Sequence, residues 1–102
     1  MTRILVALAC LAMSAPALAK DAGAGKAKAA QVCAACHGPD GNKPSAPDQP
    51  ILAGQYYDYL VRAHTDYKIG KRNNPIMKGF AAQLSKKDIE DLAAWFSSQK
   101  SP

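Results

Sequence analysis

The most restrictive feature of this chain is a C-x-x-C-H motif formed by Cys33, Cys36 and His37. This spacing attaches a haem covalently, because each thiol adds across one haem vinyl group and two intervening residues let both thiols reach the ring from one helical turn. His37 follows directly, in position to bind the iron as the first axial ligand, and a backbone carbonyl usually orients such an imidazole through its other nitrogen. The motif predicts one haem site around which the chain must fold.

The first residues are typical of a secretory signal peptide. Arg3 supplies the positive start, an apolar run of about ten residues follows, and residues 17–19 form a small-x-small cleavage pattern. A membrane anchor would need about 20 apolar residues. We therefore predict a cleaved signal peptide over residues 1–19 and a single periplasmic domain over residues 20–102. Cleavage discards Cys10, so the haem uses both remaining cysteines.

Size and charge narrow the class of protein. The 83 residues that follow the predicted signal peptide carry only a small core, which a covalently held haem would complete as an apolar disc. The formal net charge falls from +5 to +4 when Arg3 leaves with the signal. This balance favours docking to acidic protein surfaces. The sequence has no long basic run and no recognised nucleic-acid motif, so we expect no nucleic-acid partner.

Two other chemistries use closely spaced cysteines, a redox-active C-x-x-C and half of a zinc site. A thioredoxin-like motif expects a βαβ setting, whereas the residues around Cys33 are rich in alanine and lysine and favour helix. Zinc needs four ligands, and beyond the motif residues 20–102 offer only His64 and carboxylates. Haem attachment is the preferred interpretation.

Periodicity and turn residues predict an all-α chain with three to four helices around the haem. The predicted helices cover residues 20–32, 55–68 and 85–99. Two loops containing proline and glycine or asparagine separate them, residues 38–50 and 71–78. The last helix has the strongest signals, since Ser85 and Asp88 resemble a capping box and Ile89, Leu92 and Phe96 share one face.

The second axial ligand has two candidates, because residues 20–102 contain one methionine, Met77, and one further histidine, His64. We prefer Met77, since a loop with a proline can hold a thioether over the iron; its other interpretation is core packing. His64 lies on the inward face of its helix, where it could be the ligand; we prefer a role in packing near the haem or in bonding a propionate. A His/Met pair raises the reduction potential relative to two histidines.

Several stretches together resemble the small class I cytochromes c, more narrowly the cytochrome c-553 group and single domains of cytochrome c4. The matching stretches are residues 25–30, 33–38, 50–55 and 59–60, Met77, and residues 89–96. The resemblance covers residues 22–99 and implies the class I fold around one haem c. It also implies that the first and last helices cross at Gly25, that Pro50 offers its carbonyl to His37, and that Met77 is the distal ligand.

The chain departs from this pattern at two positions. Ala29 stands where mitochondrial-type relatives commonly have an aromatic residue, so Trp95 or Phe96 must fill the helix crossing differently. His64 stands where relatives tend to carry an apolar residue, which changes the polarity of the distal pocket. A single C-x-x-C-H also means that the chain is not a complete di-haem cytochrome c4.

The preferred function is that of a periplasmic mono-haem carrier that passes one electron from a donor complex to a terminal oxidase or reductase, without substrate chemistry of its own. Ligation by His37 and Met77 would leave no open position on the iron. Four basic residues lie in the loops expected around the haem edge: Lys43, Lys71, Arg72 and Lys78. They either steer docking to an acidic partner or are ordinary solvated charges.

Two other functions remain as alternatives. The first is a haem subunit of a larger enzyme such as a flavocytochrome sulfide dehydrogenase, for which Tyr56, Tyr57 and Tyr59 offer aromatic interface. The second is a haem sensor or peroxidase-like enzyme, in which Met77 is labile and the iron opens to external ligands. Copurification of a flavoprotein would favour the enzyme subunit, and binding of carbon monoxide to the reduced protein would favour the sensor or peroxidase-like enzyme.

Overall fold

The computed structural model describes residues 20–101, and every regular element in this range is a helix. The helices are, in chain order, α1 (Ala22–Val32), α2 (Ala34–His37), α3 (Tyr57–Ile69), α4 (Pro75–Ala81) and α5 (Lys86–Ser97). The predicted all-α class is confirmed. The signal-peptide prediction for residues 1–19 lies outside the described residues. None of the helices within residues 20–101 combines the length and apolar character needed to cross a membrane.

Helices α1 and α5 pack against each other, and Gly25 lies at their crossing. A Cβ atom at Gly25 would overlap the main-chain carbonyl of Asp91 and would lie 3.0 Å from Cβ of Trp95. Only a residue without a side chain lets the two backbones approach this closely. The structure therefore contains the crossing that the resemblance implies.

Phe96 and Trp95 divide the space at this crossing between them. Phe96 is fully buried in the same apolar cluster as Ala29, whereas Trp95 packs at its edge. The indole Nε1–H of Trp95 donates to the carbonyl of Pro39 at 2.9 Å, and Lys26 lies over the ring. Phe96 thus fills the space beside the small side chain of Ala29, and Trp95 binds the loop after α2.

A buried carboxylate joins the same two helices, and no local sequence pattern predicted it. Asp91 is 3 % exposed. Its carboxylate accepts from the backbone N–H of Asp21 at 2.7 Å and from the ammonium of Lys87 at 2.6 Å. The side-chain hydrogen bond to Asp91 is the main reason why the pKa of Lys87 is raised. Asp91 thus satisfies an N–H just before α1 while keeping its own charge paired.

The prediction of a loop over residues 71–78 is wrong for the second half of this segment, because α4 begins at Pro75. Asn74 is extended, and its side-chain oxygen accepts from the backbone N–H groups of Ile76 and Met77, both at 3.1 Å. Proline is favourable at the first helical position, where its missing N–H would have no helical partner. The proline thus starts a helix here, and Met77 lies on that helix.

Candidate haem site

A cavity of about 390 Å³ is lined by the motif segment, by part of the loop before α3, and by side chains of α3 and α4. All five predicted site residues line it: Cys33, Cys36, His37, Pro50 and Met77. His64 lines it as well. Pockets for organic ligands commonly measure about 300–1,000 Å³. The fold therefore brings together residues that are up to 44 positions apart in the sequence.

His37 ends the single-turn helix α2 and is buried. Its Nδ1 lies 2.9 Å from the carbonyl oxygen of Pro50. A carbonyl oxygen only accepts, so Nδ1 must carry the proton and donate. Nε2 is left with its lone pair, the form in which a neutral imidazole binds a metal. Gly38, with φ of +85°, turns the chain away directly after this residue.

Cys33 immediately precedes α2 and Cys36 lies within it, and both thiols are free and half-buried. Burial, reinforced by the neighbouring Cys36, raises the pKa of Cys33 to about 11, although Lys28 acts in the opposite direction. Redox-active C-x-x-C motifs work through a lowered thiol pKa. The environment of Cys33 has the opposite effect, which argues against the thioredoxin-like alternative.

Met77 and His64 enter the cavity from two helices that pack together, α4 and α3. Met77 is half-buried on the first turn of α4. His64 is 5 % exposed, and its Nδ1 lies 2.7 Å from the carbonyl oxygen of Leu60 one turn earlier. Burial is the main reason that the pKa of His64 is lowered. The ring is therefore neutral at neutral pH, and it points inward as predicted.

Further cavity residues, among them Ile76 and Phe80, were not singled out from the sequence. Ile76 and Phe80 are four residues apart on α4, and this spacing would have revealed a shared face if the helix had been predicted. Arg72 lies 4.6 Å from the ring centroid of Tyr67, which also lines the cavity. It is the one member of the four predicted basic residues that reaches the cavity wall.

The family model for cytochrome c matches residues 22–100. The chain belongs to the cytochrome c family. Proteins of this family carry haem c, and Cys33 and Cys36 have the spacing for its covalent attachment. The cavity fits such a group, because two free thiols, an inward-facing imidazole with a lone pair and a largely apolar wall meet there.

Relatives of this cytochrome differ in how much of their length it spans. It is 55 % identical over 82 residues to cytochrome c4 of Pseudomonas aeruginosa, covering 80 % of this chain and 40 % of the relative. It is 44 % identical to cytochrome c-554(548) of Halomonas halodenitrificans, with 80 % of this chain and 100 % of the relative covered. The crystal structure of reduced cytochrome c4 from Pseudomonas stutzeri superposes with a TM-score of 0.73 at 47 % identity, over 80 % of this chain and 47 % of that one. The chain thus spans less than half the length of these two cytochrome c4 relatives.

Proposed function

We propose that this cytochrome is a periplasmic one-electron carrier whose single haem c is attached through Cys33 and Cys36 and ligated by His37 and Met77. The observation that carries the proposal is one cavity lined by all four of these side chains. When bound, the haem supplies a one-electron couple between ferric and ferrous iron, and a histidine–methionine pair sets its potential high.

The chain contributes orientation and a dry environment. The carbonyl of Pro50 holds His37 in the tautomer that leaves the lone pair on Nε2 available to the iron. Leu60, Ala81 and Leu84 are buried and line the wall, so they keep water from part of the site. Limited access of water favours the less charged ferrous state, which adds to the effect of the thioether on the potential.

Basic side chains support a role in docking. Lys43, Lys71, Arg72 and Lys78 are all exposed, and Arg72 also lines the cavity. Positive charge beside the site would steer acidic surfaces of a donor complex and of a terminal oxidase or reductase toward the haem. We therefore propose transient docking to redox proteins, with no nucleic-acid partner.

The decisive experiment is the spectrum of the holoprotein, compared with that of Met77→Ala. We expect the wild-type protein to be low-spin in both oxidation states, with the weak near-infrared sulfur-to-iron band in the ferric form. Met77→Ala should lose this band, and its potential should fall by a few tenths of a volt, within the ~0.8 V range that axial ligands span.

Ile76→Ala is the matched control, because Ile76 precedes Met77 on α4 and also lines the cavity. It should keep the sulfur band. Survival of the band in Met77→Ala would disprove ligation by Met77. Binding of carbon monoxide by the reduced wild-type protein at neutral pH would instead favour the sensor or peroxidase-like alternative.

The alternative of a haem subunit in a larger enzyme is favoured by one observation, the exposure of two tyrosines near the start of α3. Tyr56 is 85 % exposed and Tyr59 52 % exposed. Tyr57 is half-buried, with the Lys20 ammonium 4.0 Å from its ring centroid. Tyrosines are enriched at protein interfaces. Copurification of a flavoprotein with the native cytochrome would support this alternative, and recovery of the cytochrome alone would support the free carrier.

A further inference from the structure

His64 has no part in the function proposed above, yet it is among the most buried polar residues of the described chain, at 5 % exposure. It lies on α3 and lines the same cavity as His37 and Met77. Burying a polar side chain is costly unless its polar atoms have partners. The question is therefore what each of its two ring nitrogens does.

Nδ1 is accounted for within the helix. It donates to the carbonyl oxygen of Leu60 at 2.7 Å, and this leaves Nε2 with a lone pair and no proton. Among residues 20–101, Nε2 has no hydrogen-bond partner, and every fully buried side-chain nitrogen or oxygen in this range has one. A group in the cavity that His64 lines could therefore receive this lone pair.

We propose that His64 is a reserve ligand of the haem iron, whose Nε2 takes the distal position when the thioether of Met77 is released or removed. This inference rests on the proposed function, which assigns haem c to this cavity. One lone-pair donor of this chain, the Met77 thioether, would then leave the iron as another, Nε2 of His64, replaced it. The proton stays on Nδ1 against Leu60, so neither a proton nor an electron has to be supplied.

The positions of the two side chains agree with Met77 as the ligand that is released and His64 as the one that replaces it. Met77 lies on a helix of seven residues, on which Ile76 and Lys78 beside it are exposed. His64 lies on a helix of 13 residues, and its ring is held by Leu60 in the form that binds a metal. Imidazole favours ferric iron relative to a thioether, so the exchange should occur in the oxidised protein. It would keep the iron closed to external ligands.

The test compares Met77→Ala with the double variant Met77→Ala/His64→Leu, both as ferric holoproteins at neutral pH. Met77→Ala should remain low-spin without the sulfur band, and the double variant should become high-spin. Added imidazole should bind Met77→Ala at least ~10-fold more weakly than it binds the double variant. The reason is that an internal ligand that occupies the iron in about nine molecules of ten lowers the apparent affinity by that factor.

Control variants separate this inference from the proposed function. His64→Leu alone should keep the wild-type spectrum and sulfur band. Met77→Leu removes the thioether but preserves apolar volume on α4, so it should give the same spectrum as Met77→Ala if the loss of packing has no effect. A sulfur band in the wild-type protein together with a high-spin Met77→Ala would overturn the reserve ligand and leave the proposed function intact. A low-spin double variant would also overturn it. A wild-type protein that lacks the sulfur band and becomes high-spin in His64→Leu would make His64 the resident ligand and overturn both.

Discussion

Each histidine in residues 20–101 has its tautomer set by a main-chain carbonyl, but the two carbonyls come from different places. His37 donates to Pro50, thirteen residues away, whereas His64 donates to Leu60 on its own helix. The orientation of His37 therefore depends on how the loop before α3 folds. That of His64 is set within one helical turn. Both rings line the same cavity, and in both the carbonyl engages Nδ1, so Nε2 is the nitrogen left to bind a metal.

At the residue scale, the start of α5 allows a prediction about pH. The Ser85 hydroxyl accepts from the N–H of Asp88, and the Asp88 carboxylate accepts from the N–H of Ser85, both at 3.0 Å. The backbone N–H of Ser85 is the main reason that the pKa of Asp88 lies below its ordinary value of 3.8. Asp88→Asn should lower the free energy of unfolding at neutral pH by roughly 0.5–1 kcal/mol, because an amide oxygen replaces the carboxylate as acceptor and the negative charge in the first turn of α5 is lost.

The sign of this pH dependence follows from linkage. Because the folded pKa is depressed, the carboxylate stabilises the native state fully above the unfolded pKa, and that contribution is lost as the pH falls through the lower folded pKa. The difference between the wild-type protein and Asp88→Asn should therefore shrink as the pH falls below 3.8. Denaturant unfolding of the holoprotein, followed by far-ultraviolet circular dichroism, measures it. Glu90→Gln on the same helix is the control, and an equal loss in both variants would contradict the role of the cap.

At the scale of elements, α4 shows how local signals combine. Pro75 removes an N–H that a helix start does not use, and Asn74 accepts two of the N–H groups that remain. Seven residues form too short a helix to be stable alone, so packing against α3 must maintain it. Met77 is consequently presented by a helix that depends on tertiary contacts.

The crossing of α1 and α5 gives a second prediction. Gly25→Ala should lower the free energy of unfolding by about 2 kcal/mol, because the new methyl group forces apart two backbones that touch. Gly79→Ala on α4 is the matched control, since a Cβ there meets nothing within 4 Å. It should stabilise the protein by about 0.5–1 kcal/mol, the helix-propensity difference between glycine and alanine. Denaturant titration of both holoproteins compares them, and an unchanged midpoint for Gly25→Ala would refute the close approach.

At the scale of the whole molecule, the hydrophobic core and the haem site share their walls. Leu60 and Leu84 belong to the buried cluster around α5 and also line the cavity. In a chain this small, a packing change on one side is therefore transmitted to the other. We expect the site and the fold to be lost together rather than in separate steps.

Charge around the cavity gives a prediction at the same scale. Lys71 is exposed and precedes Arg72, which lines the cavity. Lys71→Glu should slow oxidation of the reduced cytochrome by the anion ferricyanide about fivefold at low ionic strength, and the effect should fade as salt is added. Stopped-flow absorbance measures the rate.

Lys26→Glu is the control for net charge, because it makes the same change at an exposed position of α1 whose sequence neighbours do not line the cavity. Its effect should be under about twofold, since screening weakens charges farther from the site. Equal slowing in the two variants would show that total charge, and not its placement beside the haem, governs the rate.

The sequence alone determined features that depend on neighbouring residues. The spacing of Cys33, Cys36 and His37 specified haem attachment, because two intervening residues place both thiols within one helical turn. Ser85 and Asp88 specified the start of α5 in the same way, since the two members of a capping box are only three positions apart. The all-α class followed from apolar periodicity.

Only the tertiary structure decided what covers each apolar face and which distant groups meet. The pairing of Asp91 with Asp21 joins residues 70 positions apart, and no local pattern encodes it. The start of α4 at Pro75 was missed, because proline reads as a breaker unless the preceding residue is known to cap a helix. Likewise, Nε2 of His64 is relevant to the haem site only because the tertiary structure forms a cavity that this side chain lines. Periodicity identifies an inward face, but the packing of the other helices determines what that face meets.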